Sequence, residues 1–87
     1  MDKTFTAIIL SDEKKGGWTY VIWPESATHL GTKKAAKVKG TIDGYEFQTS
    51  FLPWGDGTHM LPVKAAILAA IKKQPGEEVV VQLTERL

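Results

Sequence analysis

The chain has no cysteine, which excludes disulfide bonds and thiolate metal sites. It also has no asparagine, so it offers no acceptor for N-linked glycosylation. Beside ten lysines there is one arginine, Arg86. Arginine's planar fork is the preferred group for phosphate and for guanine edges, so this balance argues against a dedicated nucleic-acid reader. No apolar run approaches the ~18 residues of a membrane span, and the opening residues lack a signal-peptide pattern. The expectation is a cytoplasmic protein with no membrane contact.

What is present suits an ordinary globular chain. Its 87 residues are 43% hydrophobic and 24% charged, with a net charge of +1, a balance that does not suit a disordered chain. The length fits one domain, 1–87, and a domain this small buries only about 60% of the surface its unfolded chain exposes. The core must therefore be economical.

Lys3 to Leu10 places Phe5, Ala7 and Ile9 at alternating positions before a polar, glycine-ended stretch, the pattern of a strand entering a loop. Gly17 to Trp23 reads as a second strand, with Trp18, Tyr20 and Ile22 on one face and Val21 and Trp23 on the other. Pro24 ends it, because proline has no N–H for a ladder. Pro24 to Gly31 reads as a turn or one short helical turn, which Ser26 could cap and Gly31 could close.

Ala35 to Asp43 and Tyr45 to Leu52 make the clearest hairpin. Asp43-Gly44 suits a two-residue type I′ turn, whose central residues both need positive φ. That turn pairs Ile42 with Tyr45, Gly40 with Phe47 and Val38 with Thr49. One face then carries Ala36, Val38, Gly40, Ile42, Tyr45, Phe47 and Phe51, and the other Lys37, Lys39, Thr41, Glu46, Gln48 and Ser50. Gly40 opposite Phe47 lets the ring lie across bare backbone.

Leu52 to Val63 packs two glycines, Asp56, His59, Trp54 and two prolines between a strand signal and a helix signal. Pro62 at a first helical position predicts a helix over 62–73, with Val63, Ile67, Ala70 and Ile71 on one face. Glu78 to Leu83 reads as the last strand. These elements predict a mainly β fold: a small β-barrel of about five to six strands, with the helix near 62–73 capping an open end.

Three stretches carry a family resemblance. They are Gly40-Thr41-Ile42-Asp43-Gly44 with Phe47 and Thr49 to Pro53, Gly55-Asp56-Gly57-Thr58-His59 leading into Leu61 to Ile67, and Pro75-Gly76-Glu77 before a valine-rich strand. With Phe5 and Gly16 to Pro24 they cover nearly the whole chain, which resembles the bacterial and archaeal family named domain of unknown function 1905. The resemblance implies a split (double-split-type) β-barrel capped by helices, distantly related to swapped-hairpin DNA-binding proteins of the AbrB type. It implies no activity. Leu68 departs from the family pattern, which often has a basic residue there, and Glu78 stands where a smaller or more apolar residue is expected.

Asp56 and His59 are candidates for an acid–base pair or for two metal ligands, set against a structural role in which Asp56 holds a Gly-Asp-Gly turn and His59 packs against an aromatic. A metal site needs three or four ligands, and no further cluster is evident, so no metal and no cofactor are expected. Ser50 completes an imaginable triad with His59 and Asp56, but no nucleophile-elbow sequence surrounds it. No catalytic residue is therefore assigned. Trp54 and Trp23 each adjoin a proline at a strand end, where a ring would line a barrel mouth, although a small domain also needs large rings for its core. Lys33, Lys34, Lys37 and Lys39 form a basic patch, read either as a phosphate-tracking surface or as a solvated face shielding a sheet edge.

The function these residues favour is a non-enzymatic binding module for a small molecule or a protein partner, with Trp54, Asp56, His59 and Trp23 as its ligand-binding candidates. Nucleic-acid binding through the four lysines and an enzyme built on Asp56 and His59 are the alternatives. A monomer or weak homodimer is expected.

Overall fold

The computed structural model describes residues 2–12, 17–54 and 57–87. In chain order these form β1 (Lys3–Ile8), β2 (Leu10–Asp12), β3 (Trp18–Trp23), α1 (Ser26–Leu30), β4 (Ala36–Ile42), β5 (Tyr45–Pro53), β6 (His59–Pro62), α2 (Ala65–Ile71) and β7 (Glu78–Arg86). The seven strands pair antiparallel in the order β1-β7-β4-β5-β6-β3-β2, and the sheet curls into a half-barrel. The mainly β barrel with a helix stands, with more strands than the five to six expected.

The N-terminal strand signal divides at Ile9. Before it, β1 pairs with β7, placing Phe5 opposite Val81. At Ile9 the N–H donates to the Glu77 carbonyl at 2.9 Å, and the Ile9 carbonyl accepts from the Gly76 N–H at 2.8 Å. After it, β2 pairs with β3, placing Leu10 opposite Tyr20. One stretch of chain thus hands over from one end of the sheet order to the other. Ile9 is buried at the handover and belongs to the core.

The β4–β5 hairpin has the expected register: Ile42 opposite Tyr45, Gly40 opposite Phe47, Val38 opposite Thr49. Asp43 and Gly44 both adopt positive φ, 47° and 84°, as a two-residue turn that matches strand twist requires. The Asp43 side chain does a second job, accepting from the Val80 N–H at 2.8 Å through Oδ1. Gly40 is needed for more than the Phe47 ring. The β4–β7 ladder shifts register between Lys39 and Gly40, and a Cβ on Gly40 would lie 2.0 Å from the Gln82 carbonyl oxygen.

Two expectations about the middle of the chain need correction. Between the strand signal and the helix signal that flank 52–63 lies a further strand, His59–Pro62, pairing with β3 on one side and β5 on the other. The helix expected over 62–73 spans only Ala65–Ile71. Pro62 ends β6 opposite Tyr20, and the Val63 N–H still bonds to the Thr19 carbonyl. Pairing with β3 therefore holds the chain extended past the proline. The helix stops where Lys72 turns left-handed, at φ 58°. Ile67, Leu68 and Ile71 pack against the core without being fully buried.

The core joins Ile9, Val21, Trp23, Leu30, Val38, Phe51, Leu61, Val81 and Leu83 with their neighbours inside the curl of the sheet. Among the described residues no helix is long and apolar enough to cross a membrane.

Candidate functional site

Alternation along β6 directs His59 and Leu61 into the curl and Met60 outward. His59 is fully buried, as is Ser26, the first residue of α1. The His59 Nε2 lies 2.8 Å from the Lys34 carbonyl oxygen. A carbonyl only accepts, so Nε2 carries a proton. Nδ1 lies 2.7 Å from Ser26 Oγ, and in the neutral Nε2–H tautomer it accepts the hydroxyl proton. Of the two neutral tautomers, the Lys34 carbonyl selects this one. The ring also meets Phe51 edge-on at 6.3 Å. His59 thereby ties β6 to α1 and to the segment that leads into β4.

This arrangement corrects several expectations. Ser26 does not cap α1: the cap position is Glu25, without a side-chain cap bond, and the Ser26 hydroxyl is turned to His59. The serine beside His59 is Ser26, while Ser50 sits on β5 opposite Lys37. Serine, histidine and carbonyl are ordered like a nucleophile, a base and its orienter. Yet both ring nitrogens are engaged and neither side chain reaches solvent, so the chain of bonds serves as a structural tie. Asp56 lies outside the described residues. Trp23 is not on a rim. It is 3% exposed and stacks on Phe5 at 4.8 Å and on His29 at 5.1 Å, nearly parallel to both. Its alternation with Val21 places it on the inner face of β3.

The outer face of the same strands carries a second apolar layer. Tyr20 and Met60 are 7% and 3% exposed, yet neither belongs to the inner core cluster. Met60 lies opposite Leu52 of β5 and opposite Ile22 of β3. Trp54 follows β5, and its N–H donates to the Thr58 carbonyl at 3.0 Å. Its ring lies 4.9 Å from Tyr20, tilted by 37°. A cavity of about 220 Å³ remains beside them, lined also by Trp18, Leu52, Pro53 and the carboxylate-bearing Asp12. Asp12 and Trp18 are cross-strand partners of β2 and β3. Trp18 is 48% exposed and also borders a groove of about 400 Å³, whose far wall includes Lys64, Ala65 and Leu68. Leu68 thus lines a groove.

Of the sequence candidates among the described residues, only Trp54 lines this cleft. Trp23 and His59 face the opposite side of the sheet. The residues given too little weight were Asp12, Trp18, Tyr20 and Met60. The available signal was that Gly17 to Trp23 carries large apolar side chains on both faces, which a strand with one wet face does not need.

The lysines are arranged differently. Lys37 and Lys39 project outward from β4, which lies between β7 and β5 and is not a sheet edge, so shielding an edge is not their role. Lys39 has Gln48 on one side and Glu85 on the other as cross-strand partners. Lys33 and Lys34 are exposed before β4. Among the described residues, no three histidine, aspartate or glutamate side chains converge as metal ligands.

A curled antiparallel half-barrel with two short helices and an aromatic layer on its outer face defines a class of small β protein. Within that class the chain belongs to the family described as domain of unknown function (DUF1905), whose pattern matches residues 5–83. No curated protein matches the chain significantly.

Proposed function

We propose that this protein is a non-enzymatic binding module that takes a small molecule in the cleft between Trp18, Tyr20 and Trp54. One observation carries this reading: Tyr20 and Met60 are buried on the outer face of the sheet beneath Trp54, and the layer that buries them leaves a cavity. A packed layer built only for stability tends to fill its space. Ligand sites, by contrast, combine mostly apolar and aromatic walls with a few polar groups, and here Asp12 stands among apolar and aromatic lining residues. The Ser26–His59 pair supports a non-enzymatic role, because its hydrogen-bonding groups are engaged with each other and with Lys34 away from solvent. The four lysines give nucleic-acid binding weaker support, since Glu46 and Glu85 share the strands around Lys37 and Lys39.

An NMR titration of isotope-labelled protein with a library of small apolar and aromatic fragments tests this reading. Binding fragments should shift the indole N–H signals of Trp18 and Trp54 and leave that of Trp23, in the core, in place. If no fragment shifts Trp18 or Trp54, the proposal fails.

A further inference from the structure

We infer that the protein has a second ligand site, the groove that Trp18 shares with α2, and that it takes a small carboxylate with a flat apolar body. The groove is distinct from the cleft beside Trp54, with Trp18 the one described residue lining both. Its walls are Trp18 and Thr19 of β3, Pro62 of β6 with the Val63 that follows it, and Ala65 and Leu68 of α2. At about 400 Å³ it falls within the range of sites for whole small molecules, about 300–1,000 Å³. The floor has little polar surface left to offer. The Val63 N–H donates to the Thr19 carbonyl, the Thr19 hydroxyl donates to the Val63 carbonyl, and Pro62 has no N–H. Beside that floor Trp18 keeps 48% of its surface exposed, and Leu68 is only partly buried. A large ring left half open next to an apolar hollow marks a surface for interaction.

Lys64 is the only formally charged residue among the described ones that line the groove. Its ammonium makes no ion pair and no hydrogen bond among the described residues. Glu46 borders a neighbouring hollow together with Lys64 without pairing with it. A cation in the groove would meet that ammonium unfavourably, and a neutral body would gain only from the walls. An anion with an apolar body gains from both. The lysine also sets which end of the ligand faces outward. Lys64 is exposed, and a lysine lays its stem on apolar surface while keeping its head in water. The carboxylate therefore sits at the solvent edge, with the apolar body against Trp18, Val63 and Leu68. An aromatic body suits an indole wall, since rings favour offset or edge-on contact with one another. An ion pair this exposed contributes modestly, about threefold in affinity, and the apolar contacts carry the rest.

The test titrates isotope-labelled protein with phenylpropanoate and, in parallel, with phenylpropanamide and phenylpropylamine. The three are similar in shape and are negative, neutral and positive. Phenylpropanoate should move the Trp18 indole signal and the Ala65 and Leu68 amide signals, and leave the Trp54 indole in place. At low salt it should bind about threefold more tightly than the amide, with the amine weakest, and added salt should narrow the gap. Lys64→Met keeps the stem and removes the charge, so it should level the three affinities and leave that of the amide nearly unchanged. Ala65→Phe, at an exposed position, should fill the groove and abolish binding, with thermal melting showing the fold retained. Equal affinities for the three compounds at low salt would overturn the carboxylate assignment. Shifts at Trp54 in place of Ala65 and Leu68 would put the ligand in the cleft and overturn the groove site, as would no response to any of the three. Movement of the groove signals on diluting ligand-free protein would give the groove to a second copy of the chain and overturn the small-molecule assignment.

Discussion

Strands β6 and β7 belong to one sheet and obey different rules. Along β7, Val79, Val81 and Leu83 are buried while Glu78, Val80, Gln82 and Thr84 are exposed. That is the alternation of a strand with one dry face and one wet face. Along β6, His59, Met60 and Leu61 are all buried, although successive side chains point to opposite faces. A strand can be dry on both faces only where something covers its outside, and here the cover is Tyr20 with Trp54. The contrast locates the part of the sheet that departs from a simple half-barrel. The polar residue enclosed at that place, His59, is the one whose partners span three separate segments of chain.

Substitutions can break or sharpen this contrast. The largest effect is expected at Gly40, beside β7. Gly40→Ala would push a Cβ into the Gln82 carbonyl, and since backbone on both sides must give way, a loss of about 4 kcal/mol is expected in chemical denaturation. On the inner side of β6, His59→Ala strands the Ser26 hydroxyl and the Lys34 carbonyl, for a loss of about 3 kcal/mol. On its outer side, Met60→Ala should cost about 2 kcal/mol. Gln82→Ala, on the outer side of β7, should stay within ~0.5 kcal/mol. The Met60 and Gln82 pair is decisive. Equal losses at the two positions would mean that the outer layer over β6 is not packed, and the distinction between the strands would disappear.

The same contrast explains which parts of the molecule were legible in the sequence. The β4–β5 register follows from a two-residue turn, a local signal, and each predicted pair is observed. β7 was legible because its alternation survives. The strand β6 was not, because burial on both faces erases the period-two pattern that marks a strand. Pro62 compounded the error. A proline before an apolar periodic run looks like a helix start, yet its partner Tyr20 lies far away in sequence and holds it extended. Trp23 and Trp54 have the same local context, a neighbouring proline at a strand end, and lie on opposite faces of the sheet. For Trp23, alternation with Val21 was the better guide. The Ser26–His59–Lys34 tie is nonlocal throughout, and no spacing rule connects its members.

The handover at Ile9 also bears on the order in which the protein assembles. Ile42 and Tyr45 meet across a two-residue turn, whereas Phe5 and Val81 are paired from nearly opposite ends of the chain. Closing so long a loop carries a larger entropic cost, and contacts of that kind slow folding. The hairpin is therefore the expected nucleus and the N-terminal strand the last to dock. In reverse, that strand should be the first to peel away, uncovering the edge of β7 and the Phe5 side of Trp23 while the hairpin holds. Native-state hydrogen exchange should show it: amides paired between β1 and β7 exchange through a cheaper partial opening, and those between β4 and β5 only when the whole domain unfolds. The seam that lets one strand serve both ends of the sheet is thus also where the molecule comes undone first.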